Sequence, residues 1–243
     1  MKINKIKYFL IVFAILSFTS ISSQTCGFGC LGLSGVYGGY SIQQYEADGL
    51  NQYLDEFSNN ELGALFNEGR GFKVGINIVR AEYENYFFTF KGYYQFLSER
   101  RTVANSNGSN YDATLEMNNW GVGLDFGIPI CSFVDWKIVD SELKFFSPKL
   151  ILENSTVRDI IISDETYTPD KVKMGYSIGS GFIFNIIKDY VSIEVTGMYT
   201  FVKIDYLTND NDGAQIPKLD SNSKLISKGG FQGIVQLNVG LPF

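Results

Sequence analysis

The chain has 243 residues, 45% of them hydrophobic and 15% aromatic, with no histidine, three cysteines and a formal charge of −6. The acidic balance speaks against nucleic acid as a partner, because a phosphate backbone is neutralised by Lys and Arg. The lack of His removes the side chain most used for general acid–base work, proton shuttling and catalytic zinc.

The first element is a leader. Lys2, Lys5 and Lys7 precede an apolar run over 8–16 and the small residues Ser20, Ser22 and Ser23, which predicts a secretory signal peptide over 1–23. The run is shorter than the ~20 residues a helix needs to cross a bilayer. Cleavage near Ser23 or Gln24 leaves a short tail, 24–30, that carries Cys26 and Cys30. Ser23-Gln24-Thr25 is a poor lipobox, so Cys26 is not expected to carry lipid. Loss of the three lysines turns 20 basic and 26 acidic residues into 17 and 26, a formal charge of −9.

From 31 onward the apolar residues fall in short runs of period two, the mark of a strand with unlike faces. Eight such runs follow in order. The first, 31–42, is Gly-rich. The second, 71–81, sets Phe72, Val74, Ile76 and Ile78 against Lys73, Gly75 and Asn77. The third, 86–97, sets Phe88, Phe90, Tyr94 and Phe96 against Thr89, Lys91 and Gln95. In the fourth, 113–128, Trp120, Val122, Leu124 and Phe126 oppose Gly121, Gly123, Asp125 and Gly127. Leu115 and Met117 are out of phase with that apolar face, which predicts a β-bulge near Asn118-Asn119.

The fifth run, 134–152, opposes Leu143 and Phe145 to Glu142 and Lys144, but Trp136 and Ile138 keep a different phase. The sixth, 172–186, sets Met174, Tyr176, Ile178, Phe182 and Phe184 against Lys173, Gly175, Ser177, Gly179 and Gly181. The seventh, 191–204, sets Ile193, Val195, Tyr199 and Phe201 against Ser192, Glu194, Thr196 and Thr200. The eighth, 230–243, carries Phe231, Val235, Leu237, Val239, Leu241 and Phe243 on one side. Three connections are short (82–85, 129–133, 187–190) and four are long (43–70, 98–112, 153–171, 205–229). Strict alternation of long and short is the habit of transmembrane barrels, with short periplasmic turns and long outer loops. An even strand number then leaves both mature termini periplasmic.

The expected fold is all-β: an eight-stranded antiparallel up-and-down transmembrane β-barrel over 31–243, with one short amphipathic helix in the first long loop. Alternation leaves two arrangements open. In a membrane barrel the apolar face meets lipid and the lumen holds Lys73, Lys91, Asp125, Glu142, Lys144, Lys173 and Glu194 as a charge network. A secreted calycin-like lipid carrier would turn the same faces the other way. Aromatic residues near the ends of the runs, among them Tyr86, Trp120, Trp136 and Tyr190, suit the interfacial girdles of the first arrangement.

The last run favours the membrane. Val235, Leu237, Val239, Leu241 and the terminal Phe243 resemble the assembly signal read by the insertion machinery of Gram-negative outer-membrane barrels. With the strand count, the chain is similar in plan to the small eight-stranded outer-membrane barrels, such as the transmembrane domain of outer membrane protein A. The likeness is one of architecture, and no peptidoglycan-binding domain is appended. It implies the bacterial outer membrane, lipid around the wall and other outer-membrane proteins as partners.

In the first long loop Leu50, Tyr53, Leu54 and Phe57 share one helical stripe, with Asp48 as a possible cap. That stripe either folds over the barrel mouth or docks a partner. Asp210-Asn211-Asp212-Gly213 has the look of a calcium loop, but Thr208 and Leu219 occupy the positions that such a loop fills with acids. It is expected to be a polar turn, and no cofactor or metal is expected anywhere. Cys30 and Cys131 both fall on the expected periplasmic side, where a disulfide between them can form. The function expected is that of a non-catalytic envelope barrel, structural or accessory to a larger complex. A lipid-modifying enzyme is the alternative, and such barrels typically use a His that this chain lacks.

Overall fold

The structure, a computed structural model, describes residues 35–57, 65–83, 85–104, 110–154, 165–188, 190–217 and 223–240. Strand β1 spans Gly35–Glu46 and helix α1 spans Asp48–Phe57. There follow β2 (Glu68–Glu82), β3 (Phe87–Ala104), β4 (Asn110–Glu116), β5 (Asn119–Cys131), β6 (Val134–Phe146) and β7 (Lys149–Asn154). The rest are β8 (Glu165–Thr168), β9 (Lys173–Ile187), β10 (Val191–Phe201), β11 (Leu207–Asn209), β12 (Gln215–Ile216) and β13 (Lys228–Gly240).

Eight of these strands close a ring. β1, β2, β3, β5, β6, β9, β10 and β13 each pair antiparallel with the next, and β13 pairs back onto β1. Closure leaves no free edge within the ring, so every ladder group there has a partner in the protein itself. The tight turns gather at one end, the turn end, with the described termini. The long connections gather at the other, the loop end.

Three of those long connections are not plain loops. The upper part of β3 continues past the ring and pairs with β4, which pairs with β7, then β8, β11 and β12 in turn. These segments form a second, smaller sheet that prolongs the wall of the barrel into a cap. The bulge expected near Asn118-Asn119 is absent. Gln95 faces Asn119 in the ring and Ser98 faces Glu116 in the cap, one unbroken register, and Met117 N donates to Leu97 O across the junction at 2.8 Å. Leu115 and Met117 are out of step with Trp120 because they face inward. What changes along this strand is the chemistry of the inner face.

The bulge lies instead in the fifth run. Between Lys137 and Asp140 strand β6 has two residues, Ile138 and Val139, against the single Ser180 of β9. An extra residue turns the following side chains to the other face. Asp135 and Lys137 therefore face inward below it, and Asp140, Glu142, Lys144 and Phe146 above it. Ser180 Oγ donates to the displaced Lys137 carbonyl at 2.6 Å and accepts from Trp136 Nε1 at 3.0 Å, so the irregularity leaves that group satisfied on the outer wall.

The two faces are chemically distinct. Phe72, Val74, Phe96, Trp120, Phe126, Met174, Phe184, Val195, Leu237 and Val239 all point out and are exposed. Tyr40–Phe72, Trp120–Phe145 and Tyr199–Phe231 are ring pairs on this outer wall towards the loop end. Tyr83 stacks on Tyr86, and Tyr86 lies beside Phe126, at the turn end. The wall is thus an apolar belt with aromatic rims.

Candidate functional site

The barrel interior is built in two zones. Along the ring, the inward positions carry charge. Lys91 reaches Asp125 at 2.9 Å, Asp140 at 2.9 Å and Glu142 at 3.2 Å. Lys137 reaches Asp140 at 2.6 Å, Glu194 at 2.5 Å and Asp125 at 3.2 Å. Lys73 pairs with Glu142, and Lys144 lies 3.6 Å from the same carboxylate. All eight side chains are buried. Among the described residues the network thus holds four lysines and four carboxylates, and its formal charges cancel.

Small residues make the room. A Cβ on Gly123 would lie 2.6 Å from Cε of Lys91. A side chain there would push Lys91 away from its partners, so this inner position stays bare for steric reasons. Nearer the loop end the charges give way to neutral groups. Gln95 Nε2 donates to Ser41 Oγ at 2.7 Å, Lys144 Nζ to Gln232 Oε1 at 2.5 Å, and Thr200 Oγ1 to the same oxygen at 3.1 Å. Towards the turn end Arg80 lies 3.4 Å from Asp135 and over the ring of Phe87.

Of the seven charges expected in the lumen, Lys73, Lys91, Asp125, Glu142, Lys144 and Glu194 meet in this network. Lys173 does not. It opens β9 at the loop end, and its ammonium lies 5.4 Å from the ring centre of Tyr206. Its parity fits the inner face, but its height puts it above the network. Lys137 and Asp140 were missed because they stand on opposite parities, and only the bulge between them brings both inside. The signal was present in the fifth run, where Asp135 and Lys137 are odd-numbered while Asp140, Glu142 and Lys144 are even.

Above the neutral layer the inner face turns apolar. Leu97, Leu115, Met117, Phe146, Leu150, Ile204, Leu207 and Ile226 are wholly or almost wholly buried in one cluster. Helix α1 folds onto it. Leu50 and Leu54 are buried in the cluster and Tyr53 packs against it, so of the two readings of the stripe, a cover over the barrel mouth or a docking face, these three residues fit the cover. The side chain of Phe57 lies outside the described residues. Burying each leucine contributes about 1.5–3 kcal/mol relative to exposure.

Polar contacts hold the helix and the end of the first loop in place. Asn51 and Phe66 exchange two hydrogen bonds, at 3.0 and 2.7 Å. Glu99, nearly buried, accepts from the Tyr45 hydroxyl at 2.6 Å and from the backbone N–H groups of Asn67 and Glu68 at 3.0 and 2.9 Å.

The remaining positions read from sequence fall as follows. Val235, Leu237 and Val239 point outward on β13, while Leu241 and Phe243 lie outside the described residues. Cys131 is exposed as the last residue of β5, next to the turn into β6, and Cys26 and Cys30 lie outside the described residues. Asp210–Gly213 forms the turn joining β11 to β12, closed by Asn209 N to Ala214 O at 2.7 Å and by Asp212 Oδ1 accepting from Ala214 N at 2.9 Å. No group of three or more His, Cys, Asp or Glu suited to a metal occurs among the described residues.

No family model matches the chain, and no curated protein matches it at a significant level. Solved structures do match in outline. The attachment invasion locus protein Ail of Yersinia pestis is 16% identical, over 86% of this chain and 99% of that one, with a TM-score of 0.44. Neisserial surface protein A is 8% identical, over 85% and 96%, with a TM-score of 0.44. The outer membrane protease OmpT of Escherichia coli is 12% identical, over 86% and 95%, with a TM-score of 0.38. These likenesses transfer no residue role and no activity.

Proposed function

We propose that this chain is a non-catalytic barrel of a bacterial outer membrane, held in lipid by its wall and closed to conduction. It works through its folded cap as a structural or accessory subunit of a larger outer-membrane complex. The observation that carries the reading is the contrast between faces: exposed aromatic and aliphatic side chains outside, a buried network of cancelling charges inside. A barrel that buries its lysines and exposes its oily wall is built for hydrocarbon, where a soluble carrier would invert the two faces.

An eight-stranded barrel is just wide enough for its own side chains to fill. Here the charge network fills the ring and the apolar cluster seals the loop end. With the long connections facing outward and the turn end periplasmic, the cap is the part offered to partners. The outward Val235, Leu237 and Val239 of β13, with Leu241 and Phe243 that follow them in the sequence, are the proposed handle for the insertion machinery. Cys131 at the turn end is the proposed partner of Cys30.

Membranes extracted with alkaline carbonate should retain the protein, and the purified chain should form no stable channel in a planar bilayer. Affinity purification from detergent-solubilised membranes should return another outer-membrane protein in fixed ratio. A freely dissolved mature chain, or large steady conductance from the monomer, would overturn the barrel reading. Elution alone at every detergent strength would overturn the accessory role.

A further inference from the structure

We infer that the segment before β1 folds back across the turn-end mouth of the barrel and seats Phe28 on an apolar patch made by two neighbouring hairpins. The inference deepens the Cys30–Cys131 pairing proposed above, because it says what brings the two thiols together. The patch is the first observation. Ile130 near the end of β5, Phe133 in the turn into β6, and Ile186 and Ile187 at the end of β9 are each more than half exposed. Asn185 N donates to Phe133 O at 2.9 Å, which ties the two hairpins side by side. Cys131 is exposed within the same group.

Height is the second observation. One step beyond the Phe87–Gly127 pair, the ladder sets Tyr86 level with Ile128. Ile130 and Phe133 come after that level, past the rim where Tyr83 stacks on Tyr86. They stand clear of the apolar belt, so hydrocarbon does not cover them and burial against protein is favourable.

Reach is the third, and it names the occupant. β1 begins at Gly35, level with Gly240 of β13 and Asn77 of β2, at the turn end. β6 lies four strands from β1 whichever way the ring is counted. Eight strands about 4.8 Å apart, tilted near 40°, enclose a mouth about 16 Å across. The five residues from Gly35 back to Cys30 span at most about 18 Å, enough to cross it directly. Cys30 then arrives at the β5–β6 hairpin, and Phe28, two residues earlier in the sequence, arrives at the patch. Gly27, Gly29 and Gly32 stand among Phe28, Leu31 and Leu33, so the crossing segment is slim and carries apolar groups to bury. A segment tethered this closely competes at an effective concentration of about millimolar or more, which favours it over a separate protein. Docked, it covers Cys131 and closes the end of the lumen that holds Arg80 and Asp135.

The test uses the protein purified from membranes in maltoside micelles, with C26S and C30S so that Cys131 is the single thiol. The rate at which a charged maleimide modifies Cys131 is measured with and without F28S. Burial of one Phe side chain corresponds to roughly 10- to 100-fold in docking, so F28S should speed modification by about that factor. F133S and I187S together should do the same. L65S, at the loop end, should change nothing. With Cys30 restored and mild oxidation, peptide mapping should show Cys30 joined to Cys131, and F28S should slow the formation of that link.

Equal modification rates with and without F28S overturn the inference. A Cys30–Cys131 link that forms equally fast with and without F28S keeps the pairing and removes the docking. Heat-shifted gel migration is read on the same samples. Its absence from the parent protein defeats the barrel reading, whereas equal rates beside a persistent shift defeat this inference alone.

Discussion

Lys91 shows what a single residue contributes to the interior. It sits within 3.2 Å of three carboxylates, those of Asp125, Asp140 and Glu142. Removing one partner from a buried charge set costs about 3–5 kcal/mol, because the opposite charges are left without compensation. Lys91→Met should therefore lower unfolding stability by that order, read from the urea midpoint of the heat-shifted gel band. A variant as stable as wild type would mean the network is far wetter than its burial implies. Six of the eight network residues were legible in the sequence because period two sorts side chains by face. Parity carries no information about height, which is why Lys173 was grouped with them although it packs beside Tyr206 at the loop end.

At the scale of the element, the bulge in β6 sets the interior. Without the extra residue, Asp135 and Lys137 could not share a face with Asp140, Glu142 and Lys144. Deleting Ile138 while keeping every other side chain should send one of these groups onto the lipid wall. A lysine there costs about 2–4 kcal/mol near mid-bilayer, and the lumen loses Lys137 as a partner for Asp140 and Glu194. The deletion should give no heat-resistant band after refolding into micelles, whereas Ile138→Ala, which keeps the bulge, should. Recovery of a native band from the deletion would show that the ladder slips to absorb it.

The eight ring strands were readable from their long alternating runs. β8, β11 and β12 were not: they are two to four residues long, mostly polar, and made strands only by the neighbours they pair with. The helix was visible in its stripe, but whether that stripe met a partner or the chain's own cap depended on Leu115, Leu150 and Ile204, which alternation alone placed without showing where they converge.

The molecule as a whole is one wall enclosing two unlike interiors, ionic along the ring and apolar in the cap. Because α1 belongs to the cap alone, damage to it should stay local. Leu54→Asp puts a charge into the apolar cluster, at a cost of several kcal/mol unless the helix lifts away. Limited proteolysis should then cut within the first long loop at a rate well above wild type, while the heat-shifted band persists. Loss of that band together with the loop would show that the cap is needed to hold the ring.

The ladder itself passes from ring to cap without interruption along β3, β4, β5, β6 and β7, as the registers on either side of Met117 show. A tug on the cap along the barrel axis is therefore carried in shear by many backbone bonds loaded side by side, and they cannot be peeled apart one at a time. Whatever grips the exposed tip of this protein pulls on the whole staves of the cylinder.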